Sequence, residues 1–151
     1  MIIIQDTREK FPWDFNFYGL KQVRKALKTG DYALEGSNHF VFERKRNTGE
    51  ISMNLGLKWK QFESELIRMS EDYVCPHIIC EFPESDIDIF PVNSTIPKSR
   101  WKYLRMSPAF IKRRLYDSCE KYNIQLLFFD NPKQAEQEVF NIINEKFEIK
   151  R

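Results

Sequence analysis

Two runs, residues 31–35 and 39–46, flank Gly36-Ser37-Asn38, and this spacing constrains the chain more than any other feature: the runs must fold back as an antiparallel hairpin with a turn at its tip. Side chains alternate across a strand, so Glu43 and Lys45 point to one face while Phe42 and Arg44 point to the other. An acid and a lysine therefore share a pocket. Asp31, which follows Gly30 at the start of the partner strand, reaches the same pocket because the hairpin lays its strands side by side.

Around the hairpin, short apolar runs alternate with helical periodicity. Residues 2–6 read as a strand with Asp6 at its C-terminal end. After a Pro-containing loop with Trp13, Phe15 and Phe17, the spacing of Leu20, Val23 and Leu27 predicts a short helix. Phe62, Leu66, Met69 and Tyr73 recur at four, three and four residues, one apolar stripe on a helix from about 59 to 73. Residues 77–82 form a strand, and 83–100, rich in Pro, Ser and Asp, a long loop or insertion. Ile111, Leu115, Cys119 and Tyr122 mark a helix, 124–129 a buried strand, and Ala135, Val139, Ile142 and Ile143 a closing helix. The expected class is α/β: a mixed sheet of about five strands with an antiparallel hairpin, flanked by helices on both faces. At 151 residues without repeat or linker, one domain over 1–151 is expected, large enough to bury its own core.

Several classes are set aside by composition. No apolar run is long enough for a membrane span, and Met1-Ile2-Ile3-Ile4-Gln5-Asp6 lacks a basic leader, so a cytoplasmic protein is expected. Cys75, Cys80 and Cys119 are an odd number without paired spacing, which argues against a disulfide framework. Cys75, His77 and Cys80 leave a zinc site one ligand short unless His39 or a carboxylate joins, and they read as small residues on or beside a core strand. The net charge is only +2, but its distribution is uneven. Glu81, Glu84, Asp86 and Asp88 form an acidic stretch, whereas Lys98 to Arg114 carries seven basic residues and no acid, interleaved with Trp101 and Tyr103. Such a surface suits a phosphate backbone, although by itself it equally describes a solvated face.

The chemistry lies in Gly30-Asp31, eleven intervening residues, and Glu43-Arg44-Lys45, with Asp6 as a further carboxylate. Clustered carboxylates repel one another and raise one another's pKa values unless a positive charge sits between them, and a divalent cation meets that need. Oxygen-only ligands suit Mg²⁺ or Mn²⁺ rather than zinc. Such an ion can polarise a scissile phosphate, acidify a water and stabilise the leaving oxygen, while Lys45 orients the nucleophile or neutralises developing charge. Hydrolysis of a phosphodiester is the reaction expected. On its own the D…E-x-K spacing is weak, because an exposed hairpin with a cross-strand ion pair has the same signature.

The wider pattern is more specific. Asp6-Thr7-Arg8-Glu9, Gly30-Asp31-Tyr32 and Glu43-Arg44-Lys45 occur in this order, and together they resemble the nuclease domain of the XPF family of structure-specific endonucleases, which includes the archaeal Hef nuclease, within the PD-(D/E)XK superfamily. The run Gln61-Phe62-Glu63-Ser64-Glu65-Leu66 looks like that family's helix after the active-site hairpin. The resemblance implies a restriction-endonuclease-like fold, metal binding by Asp6, Asp31 and Glu43, a catalytic role for Lys45, and active-site support from Arg8, Glu9 and Arg44. Two departures stand out. Gly49 occupies the place of the acid expected after E-R-K, with Glu50 one step later as its candidate substitute, and the chain to Arg151 holds no tandem helix-hairpin-helix domain, so it looks like the compact stand-alone members of phages and bacteria.

Without that module the nuclease domain itself has to hold DNA. Lys58, Lys60, Arg100, Lys102, Arg105, Lys112, Arg113 and Arg114 are the candidate phosphate contacts. Trp101 either stacks on an unpaired base or packs in a core or dimer interface. The resemblance also implies a homodimer through helices near the end of the domain. The expectation is thus a divalent-metal-dependent DNA endonuclease acting in repair, recombination or phage DNA processing. A non-catalytic DNA-binding or scaffold homologue is the alternative, and the joint presence of mutually repelling acids speaks against it.

Overall fold

The computed structural model describes residues 1–147. The apolar N-terminal run forms β1 (Ile2–Gln5), followed by β2 (Lys21–Arg24), and the hairpin consists of β3 (Tyr32–Leu34) and β4 (Phe40–Lys45). After it come α1 (Thr48–Leu55), α2 (Trp59–Asp72), β5 (Cys75–Cys80), the short α3 (Ser85–Asp88), α4 (Pro108–Lys121), β6 (Gln125–Phe128) and α5 (Pro132–Phe147). The strands form one mixed sheet of six in the order β2-β1-β3-β4-β5-β6. β3 pairs antiparallel with both β1 and β4, and the remaining pairs are parallel.

Alternation along the central strands feeds two cores. Val41, Ile78 and Cys80 pack with Ile51, Phe62, Leu66, Ile111 and Leu115 from α1, α2 and α4. On the opposite face Ile3, Tyr32, Phe40, Phe42 and Ile79 pack with Trp13, Phe15 and, from α5, Ala135, Val139 and Ile143. Helices on both faces explain why β4 and β5 are apolar nearly throughout. At Gly30 the backbone has φ +82°, and a Cβ there would lie 2.3 Å from Val41 Cγ2, so only glycine lets the chain enter β3 beside β4.

One expected element is corrected. Residues 20–27 do not form a helix; a 3-10 turn over Phe15–Tyr18 ends at Gly19, and Lys21–Arg24 becomes the edge strand parallel to β1. Leu20, Val23 and Leu27 are only half-buried, so no apolar stripe holds a helix there. The Gln22 amide nitrogen instead donates to Gln5 Oε1 at 2.9 Å and to the Trp13 carbonyl at 2.8 Å, fastening the strand to β1 and to the aromatic loop. This strand is why the sheet has six members rather than about five. The 83–100 stretch is also less irregular than expected, since it contains α3 and the start of a 3-10 helix over Lys98–Tyr103.

Candidate active site

Two strand registers bring the acids into line. Gln5 pairs with Tyr32 and Tyr32 with Phe42, so one further step along each strand sets Asp6 opposite Asp31 and Asp31 opposite Glu43. Residues directly opposite in antiparallel strands share a face, with Cα atoms roughly 4.5–5.5 Å apart. Three carboxylates on three neighbouring strands therefore form one row on the α2 side of the sheet. They line a strongly polar cleft of about 420 Å³, shared with Arg8, Lys28, Thr29, Gly30, Gln61, Glu65 and Arg68.

Each member of the row is held differently. Asp6 is buried at the end of β1; its Oδ2 accepts from Arg8 Nε at 2.7 Å and from the Arg8 amide at 3.3 Å, and its Oδ1 accepts from the Leu27 amide at 2.8 Å. Burial works to raise its pKa, but the Arg8 and Leu27 hydrogen bonds prevail and hold it below the usual carboxylate range. Both Asp6 oxygens are thus engaged. Asp31 Oδ2 accepts from the Arg44 amide at 2.7 Å, and among the described residues Oδ1 accepts no hydrogen bond. Burial, and then the Glu43 charge, push the Asp31 pKa well above its ordinary value. Glu43 Oε2 accepts from Lys45 Nζ at 2.7 Å. The Lys45 ammonium lies buried, 5.0 Å from the centre of the Phe62 ring. Burial alone would lower its pKa, but Glu43, with Asp31 and Glu50 beyond it, keeps it above the usual lysine value.

Arg44, between Glu43 and Lys45, occupies the other face of β4. Its side chain is 4% exposed; Nε donates to Glu81 Oε2 at 2.7 Å and Nη1 to Glu9 Oε2 at 2.8 Å and to the Phe11 carbonyl. The guanidinium lies 4.8 Å from the centre of the Trp13 ring, whose Nε1 also donates to Glu81 Oε2 at 2.7 Å. Glu9 and Arg44 are therefore brought together with each other behind β4, while the Glu9 charge still adds to the rise in the Asp31 pKa after burial and Glu43. On that face Arg44 also lines a depression with Lys10, Phe11, Trp13 and Arg46.

The donor set fits a hard cation. Asp31 and Glu43 present only oxygens, Asp31 has a free oxygen among the described residues, and its raised pKa marks a charge that a cation would relieve. Among the described residues no three of His, Cys, Asp and Glu come together as a preformed cage. Mg²⁺ is commonly bound through one or two carboxylates plus substrate phosphates and water, so two carboxylates that each have one oxygen already engaged are compatible with it. Zinc is disfavoured by the same geometry: Cys75 and His77 sit with the α5 core, whereas Cys80 on the same strand faces α1 and α2.

Glu50 does not take the place of the missing acid in the cleft. Its Oε1 accepts from the Arg46 amide and its own amide donates to Asn47 Oδ1 at 3.0 Å, so it belongs to the cap of α1. It lines a second depression with Lys45, Asn47, Met53 and Lys58, which includes neither Asp31 nor Glu43 and is linked to the cleft through Lys45, the partner of Glu43. Gly49 has a steric reason to be glycine, because a Cβ there would lie 2.3 Å from the Ser94 carbonyl oxygen.

The basic candidates divide. Lys58, Lys60, Arg100, Lys102, Arg105 and Arg113 are exposed. Lys112 pairs with Asp88 at 3.2 Å, and Arg114 donates to the Leu55 carbonyl at 2.8 Å while lying over Trp59 and Phe110, which makes it a pin between α4 and the end of α1. Trp101 is half-buried and donates through Nε1 to the Ile96 carbonyl at 2.9 Å. Lys28, Gln61, Glu65 and Arg68 also line the cleft; the sequence places Gln61 and Glu65 in the helix that follows the hairpin but assigns none of the four to the site. Gln61, Glu65 and Arg68 are spaced four and three apart, on the flank of α2 next to the stripe of Phe62, Leu66 and Met69, and that spacing could have found these three. The Glu65 pKa is raised by burial and by Glu43. No described helix is long and apolar enough to cross a membrane.

Comparison with known proteins places these features in context. The ERCC4 domain family matches residues 5–142. Among solved structures, XPF from Aeropyrum pernix aligns with a TM-score of 0.72 at 18% identity, over 98% of this chain and 66% of that chain. The structure titled XPF from Aeropyrum pernix in complex with DNA aligns with a TM-score of 0.67 at 19% identity, over 99% and 68%. The chain therefore spans about two thirds of the length of these structures. The likeness is one of fold, the restriction-endonuclease-like mixed sheet with flanking helices. No curated protein matches the chain.

Proposed function

The chain belongs to the ERCC4-domain (XPF) nuclease family, and from that membership we propose that it is a divalent-metal-dependent endodeoxyribonuclease that hydrolyses phosphodiester bonds at the cleft of Asp31 and Glu43. The single observation that carries this reading is the pairing of a buried ammonium with a carboxylate, Lys45 Nζ on Glu43 Oε2 at 2.7 Å, beside a second carboxylate with a raised pKa.

Asp31 and Glu43 would hold Mg²⁺ or Mn²⁺, with Asp6 next in the row and available only if Arg8 and Leu27 release it. When bound, such an ion supplies Lewis-acid polarisation of a phosphoryl oxygen and a more acidic water. Lys45 contributes a fixed positive charge in a water-poor position, where it is worth more to a developing negative charge than in bulk solvent. Asp31 Oδ1 is the atom that carries a proton most readily in the absence of a cation, because burial and Glu43 both favour the neutral acid. Arg8 holds Asp6, while Glu9 and Arg44 brace β4 from behind.

DNA would be held by phosphate contacts from Lys58, Lys60, Arg100, Lys102, Arg105 and Arg113, with Arg8, Lys28 and Arg68 at the rim of the cleft. Lys112 and Arg114 contribute to that surface after their structural pairings. The family resemblance extends the proposal to a homodimer and to roles in repair, recombination or phage DNA processing. The test is incubation of purified protein with labelled duplex, flap, fork and junction DNA in Mg²⁺, Mn²⁺ or EDTA, beside Asp31→Asn and Glu43→Gln. Metal-dependent cleavage lost in both variants supports the reading. Cleavage that persists in both, or DNA binding without any cleavage, removes it and leaves the non-catalytic homologue.

A further inference from the structure

Leu57, on the turn that joins α1 to α2, is 92% exposed. A lone exposed leucine is ordinary. Its setting is not, because the turn is tied on both sides. The Gly56 amide donates to the Ser52 carbonyl at 3.0 Å, the Lys58 amide to the Met53 carbonyl at 3.0 Å, and the Trp59 amide to the Gly56 carbonyl at 3.1 Å. Arg114 adds a bond to the Leu55 carbonyl at 2.8 Å, its guanidinium lying 4.5 Å from the centre of the Trp59 ring. The leucine is thus a stiff apolar point rather than part of a loose loop.

Its flanks are cationic. Lys58 and Lys60 are exposed, and no acid occurs between Glu50 and Glu63. The turn also adjoins the cleft on both sides. Leu57, Lys60 and Gln61 line one depression, and Gln61 also lines the acidic cleft with Asp31 and Glu43. Lys58 lines another that reaches Lys45. An apolar tip between lysines matches the chemistry of a duplex better than that of an apolar protein surface: the lysines meet phosphates, and apolar side chains of this kind enter base steps and partly unstack them.

Building on the nuclease reading, we infer that Leu57 is a wedge that inserts into a base step of the bound DNA beside the cut. Gln61 lines both the depression beside Leu57 and the cleft, so the wedged step adjoins the phosphate held there. Insertion costs least where stacking is already broken, so the same side chain biases the enzyme toward such steps.

The test uses the full chain with DNA carrying 2-aminopurine at successive positions around a single unpaired nucleotide, read in EDTA, where binding is seen without cleavage. With the wild type, fluorescence rises at one step. Leu57→Ala and Leu57→Ser abolish that rise, Leu57→Met keeps it, and kcat/KM on the same DNA in Mg²⁺ falls about ten-fold in Leu57→Ala, as expected for losing the transfer of an apolar side chain from water. The salt dependence of binding stays that of the wild type, because no charge is lost, whereas Lys58→Ala lowers the salt slope and leaves the fluorescence step in place. Fluorescence and kcat/KM unchanged in Leu57→Ala would overturn the wedge. So would a wild type that raises no fluorescence at any position, whether or not it cuts. A wild type that raises the signal in a Leu57-dependent way but never cuts in Mg²⁺ or Mn²⁺ supports the wedge and removes the nuclease reading instead.

Discussion

Replacing Arg44 with methionine separates a bracing role from a catalytic one, because the side chain is 4% exposed and every partner lies on the face of β4 that looks away from the acids. The substitution leaves Glu81, whose side chain is fully buried, with only Trp13 Nε1 on Oε2, while Oε1 already has no partner. It also strands Glu9, whose side chain is 8% exposed. Removing one partner of a buried ion pair typically costs about 3–5 kcal/mol, much of it the penalty of the uncompensated charge. For a chain of this length each kcal/mol is worth about 2–4 °C in Tm, so Arg44→Met is expected to lower Tm by about 6–20 °C. The assay is thermal and urea unfolding of the wild type, Arg44→Met, and Arg44→Met combined with Glu81→Gln, without metal. The double variant no longer buries the Glu81 charge and keeps an acceptor for Trp13, so it should recover a substantial part of the loss. Nuclease activity, measured well below each Tm, should then return with the fold. If Arg44→Met melted within about a degree of the wild type yet abolished cleavage, bracing would be refuted and a direct chemical role for Arg44 would take its place.

Three further outcomes follow from the cleft. Asp31→Asn should cut cleavage by more than about a hundred-fold, yet stabilise the metal-free fold at neutral pH. Its folded-state pKa is raised, so folding loses stability as pH climbs from the ordinary value of 3.8 through the folded value; the gain in the variant is absent near pH 3 and present at pH 7.5, as urea denaturation at both pH values will show. Mn²⁺ at about a hundred times its Kd should raise the wild-type Tm by about 5–11 °C, the equivalent of about 2.7 kcal/mol, and leave Asp31→Asn unmoved; equal shifts in both would place the ion elsewhere. Gly49→Asp, which restores the acid of the family pattern, should lower Tm without raising activity, since its Cβ would lie 2.3 Å from the Ser94 carbonyl; a more active and equally stable variant would show that the loop yields.

Some of this was open to inspection in the sequence and some was not, for reasons that differ by segment. The hairpin could be read because period-two alternation and a Gly-containing turn act locally, and the registers of β3 and β4 then carry Asp31 and Glu43 together with no further information. β2 was misread because three apolar residues at helical spacing are too few to decide a structure. What decided it was an edge of β1 needing a partner and a Gln22 side chain that joins distant atoms. α1 went unread although Asn47 and Glu50 carry an N-cap signature, with Asn47 Oδ1 accepting from the Glu50 amide; Gly49 and two polar neighbours hid its periodicity. Glu65 and Arg68 could be placed on one helix face, but which way that face turns depends on how α2 packs. Glu81 reads both as part of the 77–82 strand and as the first of an acidic stretch; its position directly after β5 buries it against Arg44 and Trp13.

The consequence reaches beyond one misplaced acid. In Glu43-Arg44-Lys45 a single strand serves two incompatible electrostatic tasks, and alternation keeps them apart. One face sets Asp31 beside Glu43 in a buried position, which is costly for the charged form, and burial followed by the Glu43 charge raises the Asp31 pKa. The other face holds a positive guanidinium saturated by Glu9, Glu81 and a carbonyl, fixing β4 between β3 and β5 independently of whether a cation is bound. A strand braced only by its repelling face would relax until its acids parted. Because the brace lies behind the sheet, Asp31 and Glu43 stay side by side, and among the described residues none of Arg8, Lys28 and Arg68, which line the same cleft, hydrogen-bonds to either of them.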